Sequence, residues 1–329
     1  MKAKTINIGV IGCADIAERF VIPAIKNLTD QYKLVGVASR DQAKALQSAV
    51  KFSLQPYCGY NSLLESGQID AVYIPLPSAL HQEWAGKALK LGLHVLVEKS
   101  LACSYKEVQW LNQLAKNEGL VLIENFQFRF HSQLAIISKM LSGGVIGELR
   151  CLRSSFGFPL SPDPGNIRYQ KNLGGGALFD AGAYPIKIAQ HFLGLNLSVE
   201  AANLTFDHIN EVDIWGGAYL KQNNGKLFAE IAFGFDNYYQ CSIELWGSKG
   251  TLCAKRIFTA PPGHFPEIIL ETVKGIETIR LQPDHHFKNI LRHFYQLIIN
   301  PKSLEEEYRQ NENQARLIEE LRIKAYEKQ

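Results

Sequence analysis

The sequence predicts an α/β half built on a doubly wound parallel sheet, followed by an α+β half built on a large, mostly antiparallel open sheet. Three observations lead there. From Ile6 to Ile123, short and continuously apolar runs alternate with helix-period segments, the pattern of strands covered on both faces. The first of those runs stops at Gly12 and passes directly into a helical pattern. From Leu149 the apolar period changes to two, as in strands with one face in a core and one outside it. The boundary is read at 124/125, giving a first domain of 1–124 and a second of 125–329.

At 329 residues the chain is long enough for two domains or one large one. Hydrophobic residues make up 46% and charged residues 20%, which suits a globular protein with a full core. The net charge of +3 is too small, and Lys and Arg too scattered, to argue for nucleic acid or an anionic membrane surface. No run approaches the about 18 apolar residues of a membrane span. A strand begins at once, so no signal peptide is expected. The six cysteines, at 13, 58, 103, 151, 241 and 253, form no CxxC pair and are read as reduced thiols of a cytoplasmic protein. His285 and His286 are adjacent rather than one helical turn apart, and no metal is expected.

The elements follow in order. Ile6 to Ile11 is a strand, and after Gly12 the residues Ile16, Phe20, Val21, Ala24 and Ile25 share one side of a helix. Strand, tight turn and helix N-terminus hold a dinucleotide's pyrophosphate: backbone N–H groups approach the phosphates, and the helix end supplies partial positive charge. Gly12, Ala14 and Ala17 take the spacing G-x-G-x-x-G/A, with alanine at the middle position. Its methyl hinders close approach without forbidding it. Any parallel βα unit with a glycine turn shows this short pattern; the repeated strands and helices after it make it a Rossmann domain. Gly12, Cys13, Ala14, Asp15 and Ile16 are therefore candidate cofactor residues.

Leu34 to Ala38 is the second strand, and it ends Ser39-Arg40-Asp41. NAD-preferring domains tend to carry a carboxylate at this tip for the ribose hydroxyls. Here a hydroxyl and a guanidinium stand there instead, a pair suited to a 2′-phosphate. Ser39 and Arg40 thus predict NADP(H) over NAD(H); the plainer reading makes Arg40 a solvated loop residue and Asp41 a helix cap. A helix runs on to Val50. Ala71 to Ile74 is a strand, followed by Pro75-Leu76-Pro77 and a helix over 78–91. His94 to Val97 is the next strand. Ser104 and Glu107 form a capping box for a helix ending near Gly119, and Leu120 to Ile123 closes the series.

Two segments carry chemistry. Val95-Leu96-Val97 runs into Glu98-Lys99, a charged pair at the carboxyl end of a parallel strand, where ligands bind in such sheets. Gly174-Gly175-Gly176 precedes a helical pattern lasting to Leu193, which points to a helix N-terminus closely approached by another group. Asp180 and Tyr184 lie four apart on one face of it, although Pro185 is placed to bend or end the helix. A phenol, whose pKa near 10 falls beside an ammonium such as Lys99, is a reasonable proton donor to a nascent alkoxide.

These motifs resemble one family. Gly9-Val-Ile-Gly-Cys-Ala-Asp-Ile-Ala17, Tyr73-Ile-Pro-Leu-Pro-Ser-Ala-Leu-His81, Glu98-Lys99 and Gly174-Gly-Gly-Ala-Leu-Phe-Asp-Ala-Gly-Ala-Tyr184 occur in the order seen in the glucose–fructose oxidoreductase / inositol dehydrogenase / MocA (Gfo/Idh/MocA) family. The resemblance covers nearly the whole chain. It implies that Lys99 is catalytic, and that Asp180 and Tyr184 take the family's Asp-x-x-x-His positions with Tyr for His. It also implies that Pro75, Leu76, His81, Glu98, Lys99 and Asn125 line the cofactor, and that Asn125 and Arg129 lie at the junction bordering the active site. Cys13-Ala-Asp-Ile-Ala17, Gly147-Glu-Leu149 and Asn166-Ile-Arg-Tyr169 are most similar to NADP-dependent sugar-nucleotide 3-ketoreductases. Arg168 and Lys171 are then candidates for a diphosphate. Two departures stand out: Ser100 replaces the proline after Lys99, and Ser78 replaces a common asparagine.

His131 to Leu141 reads as a helix ended by Ser142-Gly143-Gly144. Leu227, Ala229, Ile231, Phe233 and Phe235 fall on one strand face, and Tyr238 to Trp246 alternates likewise. The other face of this sheet still carries Phe, Tyr and Trp, which predicts a homo-oligomer, a dimer or more, through that face. Pro261 to Pro266 is turn-rich and is expected to border the substrate. Ser303 and Glu306 cap a charged helix to about Tyr326. The expected function is NADPH-dependent transfer of a hydride to a keto group of a nucleotide-linked deoxyhexose. Its rivals are a dehydrogenase of free sugars, inositols or dihydrodiols, an NADP-sensing protein without catalysis, and a non-redox group transferase using bound cofactor.

Overall fold

The computed structural model describes residues 4–160 and 165–327. They form two compact units. One runs to Asn125 and takes up Phe287–Glu312; the other is Phe126–His286 with the chain from Asn313 onward.

The first unit is built on a six-stranded parallel sheet: β1 (Ile6–Ile11), β2 (Tyr32–Ser39), β3 (Gln55–Cys58), β4 (Ala71–Ile74), β5 (His94–Val97) and β6 (Leu122–Glu124), in the order β3-β2-β1-β4-β5-β6. The order reverses between β1 and β4, which opens a crevice outside the carboxyl ends of the strands. Between the strands run α1 (Ile22–Lys26), α2 (Gln42–Phe52), α3 (Tyr60–Leu64), α4 (His81–Lys90) and α5 (Tyr105–Glu118). Asp41 caps α2, accepting from the amides of Ala43 (2.8 Å) and Lys44 (3.2 Å). Ser104 caps α5, while Glu107 returns to the amide of Cys103, one residue before the cap. The predicted 78–91 helix opens as a 3-10 turn, Ser78–Leu80, before α4. Strand β3 and helix α3 go beyond the sequence reading. A four-residue edge strand containing Pro56 looks like a loop, because proline lacks the N–H a ladder needs.

In the second unit, α6 (Ser132–Ser142) precedes β7 (Leu149–Pro159), and α7 (Ala183–Leu193) precedes β8 (Leu197–Asp207), β9 (Val212–Gln222), β10 (Phe228–Gly234), β11 (Asp236–Gly247), β12 (Gly250–Lys255), β13 (Glu267–Thr272) and β14 (Gly275–Arg280). The eight strands lie in the order β14-β13-β12-β11-β7-β10-β9-β8. Every pairing is antiparallel except β7 with β10. Ala229, Ile231 and Phe233 of β10 point into a core shared with Ile186, Ala189 and Leu193 of α7, as the period-two reading requires. On the opposite face Trp215, Tyr219 and Trp246 are exposed. Arg153 in β7 there bridges Glu230 (2.7 Å) and Glu244 (2.8 Å) on the flanking strands, its guanidinium 5.1 Å from the Trp246 ring.

Two helices contain a π turn, at Ala17–Val21 before α1 and at Leu178–Gly182 before α7. Each stands just ahead of a proline, Pro23 or Pro185. Proline removes one helical N–H and its ring crowds the carbonyl four residues back. One wider turn absorbs that crowding, so the Tyr184-Pro185 step continues the helix.

After the second unit's sheet come α8 (His286–Ile299) and α9 (Leu304–Tyr326). Most of α8 and the start of α9 belong to the first unit. The Tyr32 hydroxyl donates to the Leu291 carbonyl (2.6 Å), and the Phe20 and Phe287 rings stack at 4.9 Å. Fully buried Asn112 donates to the Tyr308 carbonyl (2.8 Å) and accepts from Asn311 (3.1 Å). Among the described residues no helix is long and apolar enough to cross a membrane, and all six cysteines are free thiols.

Asn112→Ala strips that buried link, removing the Tyr308 carbonyl's side-chain donor and leaving the Asn311 amide with the Leu122 carbonyl (3.3 Å) as its acceptor. A loss of about 2 kcal/mol is expected, read as a lower denaturant midpoint at unchanged slope. A change below about 0.5 kcal/mol would contradict this account of how the returning helix is held.

Candidate active site

The first unit gathers its candidate residues at the carboxyl ends of its strands. Gly12 has φ +125°, and a Cβ built there would lie 2.9 Å from the Leu76 side chain and 3.4 Å from the Pro75 carbonyl. The turn after β1 and the turn after β4 therefore touch, and only glycine fits between them. The Ala14 carbonyl accepts from Ala17 (3.0 Å) and Glu18 (3.1 Å), so the helix starts at once and its first amides face the turn. Asp15 turns outward to Arg19 (3.1 Å) and Cys13 donates to the Lys44 carbonyl; burial pushes the Cys13 thiol up.

At the tip of β2, the Ser39 hydroxyl accepts from the Asp41 amide (3.2 Å). The Asp41 carboxylate is committed to the start of α2, so no acid competes with Arg40, whose guanidinium reaches the Tyr60 phenol. A glycine cradle at a helix start and a hydroxyl–guanidinium pair at the second strand's tip fit a dinucleotide with a 2′-phosphate.

Lys99 sits in a loop held at every neighbouring residue. Before it, the Glu98 carboxylate accepts from the Tyr73 hydroxyl (2.6 Å) and the Asn125 amide (2.5 Å), linking the tips of β4, β5 and β6. Burial pushes the Glu98 carboxyl up, against the pull of those two donors and of Lys99. After it, the Ser100 carbonyl faces Nδ1 of His81 (2.7 Å), and the Leu101 amide donates to buried Glu124 (2.9 Å). Nε2 of His81 faces the Leu76 carbonyl, also at 2.7 Å. Burial lowers the His81 pKa to about 4, although the two carbonyls favour the cation; a neutral ring donates to one of them only. His81 is fully buried, and it acts on the loops that carry Leu76 and Ser100. The Lys99–Ser100 peptide is cis.

The second unit's candidates surround the start of the helix at 177–193. Gly176 has φ +115°, and a Cβ there would stand 2.3 Å from Oδ1 of Asp213. The group approaching the glycine run is this chain's own Asp213, whose Oδ2 accepts from the Leu178 amide at 2.6 Å. A carboxylate at that position satisfies helix-end donors and meets the positive end of the helix dipole. A Cβ on Gly175 would lie 2.6 Å from the Arg168 carbonyl, so the same glycines seat Arg168. Its Nε donates to Asp180 at 2.5 Å, and the Asp180 charge, with that of Tyr184, raises its pKa. One turn on, the half-buried Tyr184 ring is boxed by Phe126, Phe128, Phe156 and Phe258, with centroids 5.0–5.7 Å away.

Asp180, Tyr184 and Arg168 are thus brought together. Lys171 is not: it pairs with Glu211 (2.7 Å) on the surface. Arg129 lies over the Phe130 ring (5.1 Å), and its charge is felt by His191, two turns along α7 from Tyr184. Tyr73, Glu124 and Asp213 are not among the candidate site residues that the sequence reading gives. For Asp213 the signal was the glycine run, whose partner lies 35 residues downstream.

Burial raises the Asp213 pKa to about 6, with the helix amides and Arg322 pulling the other way. A raised acid pKa favours the folded state when protonated. The contribution is full below the ordinary carboxyl value of about 4 and is lost as pH rises through 6. Wild type should therefore lose stability relative to Asp213→Asn between about pH 4 and 6, and the gap should be flat above pH 7. Melting temperatures across this range test it; a gap independent of pH would refute the buried-carboxylate reading.

Comparison with known proteins fits this geometry. The oxidoreductase family with an NAD-binding Rossmann fold matches residues 6–126, and the GFO/IDH/MocA C-terminal domain matches residues 135–253. The chain is 38% identical to a dTDP-3,4-didehydro-2,6-dideoxy-α-D-glucose 3-reductase of Actinomadura kijaniata, over 98% of this chain and 96% of that one. It is 30% identical to a D-xylose 1-dehydrogenase (NADP+) of Haloferax volcanii, over 87% of each. Among solved structures, KijD10, a 3-ketoreductase from Actinomadura kijaniata in complex with NADP and TDP-benzene, superposes with a TM-score of 0.93 at 38% identity, covering 97% of this chain and 98% of that one. By sequence over its whole length and by both of its folds, the chain belongs to the Gfo/Idh/MocA oxidoreductase family.

Proposed function

We propose that this protein is an NADPH-dependent reductase of a keto group, at carbon 3, on a nucleotide-linked deoxyhexose. The observation that carries the reaction type is Tyr184: a phenol on a helix start fixed by Asp213, boxed by four aromatic rings and next to the Arg168–Asp180 pair. The full-length likeness to 3-reductases of dTDP-sugars supports the substrate class.

The first unit, through 1–124, would hold NADPH: the pyrophosphate at Gly12 to Ile16, the 2′-phosphate at Ser39 and Arg40, and the nicotinamide end near Pro75, Leu76, Glu98, Lys99 and Asn125. The bound cofactor supplies the hydride for the carbonyl carbon. Lys99 polarises the substrate oxygen, held in place by the Glu98, Ser100 and Leu101 anchors on either side. Tyr184 gives the proton to that oxygen as negative charge develops. Asp180 holds the Arg168 guanidinium in place. The aromatic box excludes water from the phenol's flanks. The second unit, within 125–329, would bind the sugar and assemble the protein as a cytoplasmic homo-oligomer through the open sheet face carrying Trp215, Tyr219 and Trp246; six free thiols suit that reducing compartment.

Lys99→Ala and Tyr184→Phe should each lower kcat by about a hundredfold or more while leaving the NADPH dissociation constant within about twofold. Stopped-flow oxidation of NADPH with a TDP-linked 3-keto sugar measures the first and fluorescence titration the second. Wild-type turnover in both variants would remove the assignment, and equal turnover of free sugars would turn it towards a sugar dehydrogenase. Light scattering should give a mass of at least two chains for wild type and a smaller one for Trp246→Glu; a wild-type monomer would end the oligomer proposal.

A further inference from the structure

Among the described residues a single lysine or arginine is buried: Lys187 on α7, 3% exposed. Every other buried residue of that helix is uncharged. An ammonium in such surroundings is costly, and an apolar side chain would fill the space without that cost. The position of Lys187 supplies a use for the charge. It lies three residues after Tyr184, so the two side chains share a helix face. Helical side chains lean towards the N-terminus, and the lysine stem therefore runs back over the turn that carries the phenol. Its Nζ stands over the Phe126 ring, 5.2 Å from the centroid. Phe126 is fully buried and meets the Tyr184 ring edge to face at 5.7 Å. One ring thus has both the ammonium and the phenol as neighbours. The face of that ring favours the charged amine, against the pull of burial towards the neutral one.

A charge at this place acts on the phenol. When Tyr184 gives its proton, the phenol O–H bond breaks and an O–H bond forms on the substrate oxygen. The carbonyl carbon takes the hydride of NADPH, and a phenolate remains until solvent reprotonates it. The four boxing rings bring no charge to that phenolate. Arg168 feels the phenol's charge, but it is already paired with Asp180. A buried ammonium nearby is weakly screened. It stabilises phenolate over phenol, which makes Tyr184 a stronger acid near neutral pH.

We propose that Lys187 is a positioning residue of the proton donor: its buried ammonium, held over Phe126, stabilises the Tyr184 phenolate. The inference rests on the reading of Tyr184 as the proton donor and adds the group behind it that sets its acidity. Lys187 acts through Tyr184 rather than on the substrate.

The test compares wild type, Lys187→Met and Lys187→Arg in single-turnover oxidation of NADPH with a TDP-linked 3-keto sugar, from about pH 6 to 10. The reaction needs the phenol protonated, so its rate falls as pH rises through the phenol's pKa. Lys187→Met keeps the length of the stem and removes the charge. It should lower the rate near neutral pH about tenfold and move that fall upward by about one pH unit or more, with NADPH affinity unchanged. Lys187→Arg, which keeps the charge, should keep the wild-type profile. A Lys187→Met rate that drops without a shift of the profile, or does not drop, overturns the proposal; so does the same upward shift in folded Lys187→Arg. A second measurement needs neither substrate nor a lysine variant: the ultraviolet phenolate absorbance of wild type minus that of Tyr184→Phe, followed with pH. Tyr184 should titrate about one unit or more below the ordinary phenol value of about 10; titration at or above that value overturns the proposal. Wild-type turnover in Tyr184→Phe ends the donor reading instead, and the absorbance titration then still decides whether Lys187 sets the phenol.

Discussion

A carboxylate buried at the start of a helix governs the second unit. Asp213 reaches the first amides at 177–178 because Gly176 offers it a backbone without a side chain. From that contact the geometry propagates. The helix start fixes Asp180, which fixes Arg168, and one turn later sets Tyr184 among its four rings. Replace Gly176 by any residue with a Cβ and the carboxylate is displaced; the candidate reacting group follows. Burial makes ionised Asp213 costly, and the helix dipole with its free amides offsets that cost.

The first unit solves the same problem on strands. Its candidate lysine stands at a strand tip, where backbone hydrogen bonding to neighbours ends and freedom would otherwise begin. Hydrogen bonds from Tyr73 and Asn125 to Glu98, and the approach of His81 and Glu124 to the two residues after Lys99, replace the missing ladder. Each of these anchors comes from a different element, so the loop inherits the rigidity of the sheet.

Much of this was legible in the sequence. Apolar runs between helical periods specify a parallel sheet whatever their side chains, and the shift to period two specifies the second sheet. Gly12 and the triple glycine mark close approach because no other residue tolerates it. Asp180 and Tyr184 share a helix face by spacing alone. What stayed hidden depends on pairing across long sequence distances. Asp213 in one strand completes a glycine run far upstream, and nothing local to either announces the other. His81 reads as a cofactor residue in a motif, yet its ring nitrogens face backbone carbonyls. Arg168 reads as a free cation, yet Asp180 already holds it. Short β3 and α3 have too few residues to show a period.

The helix that returns to the first unit has a consequence for how the protein is made. The Tyr32, Asn112 and Leu120 groups that receive it are synthesised before residues 126–286 of the second unit, while Leu291, Tyr308 and Asn311 are synthesised after them. The nucleotide-binding half is thus unable to close its own core until those residues are made, although its six strands are complete by residue 124. Residues 126–286 of the second unit must emerge first. The half that begins the chain thus waits, for its last helices, on most of the half that follows it.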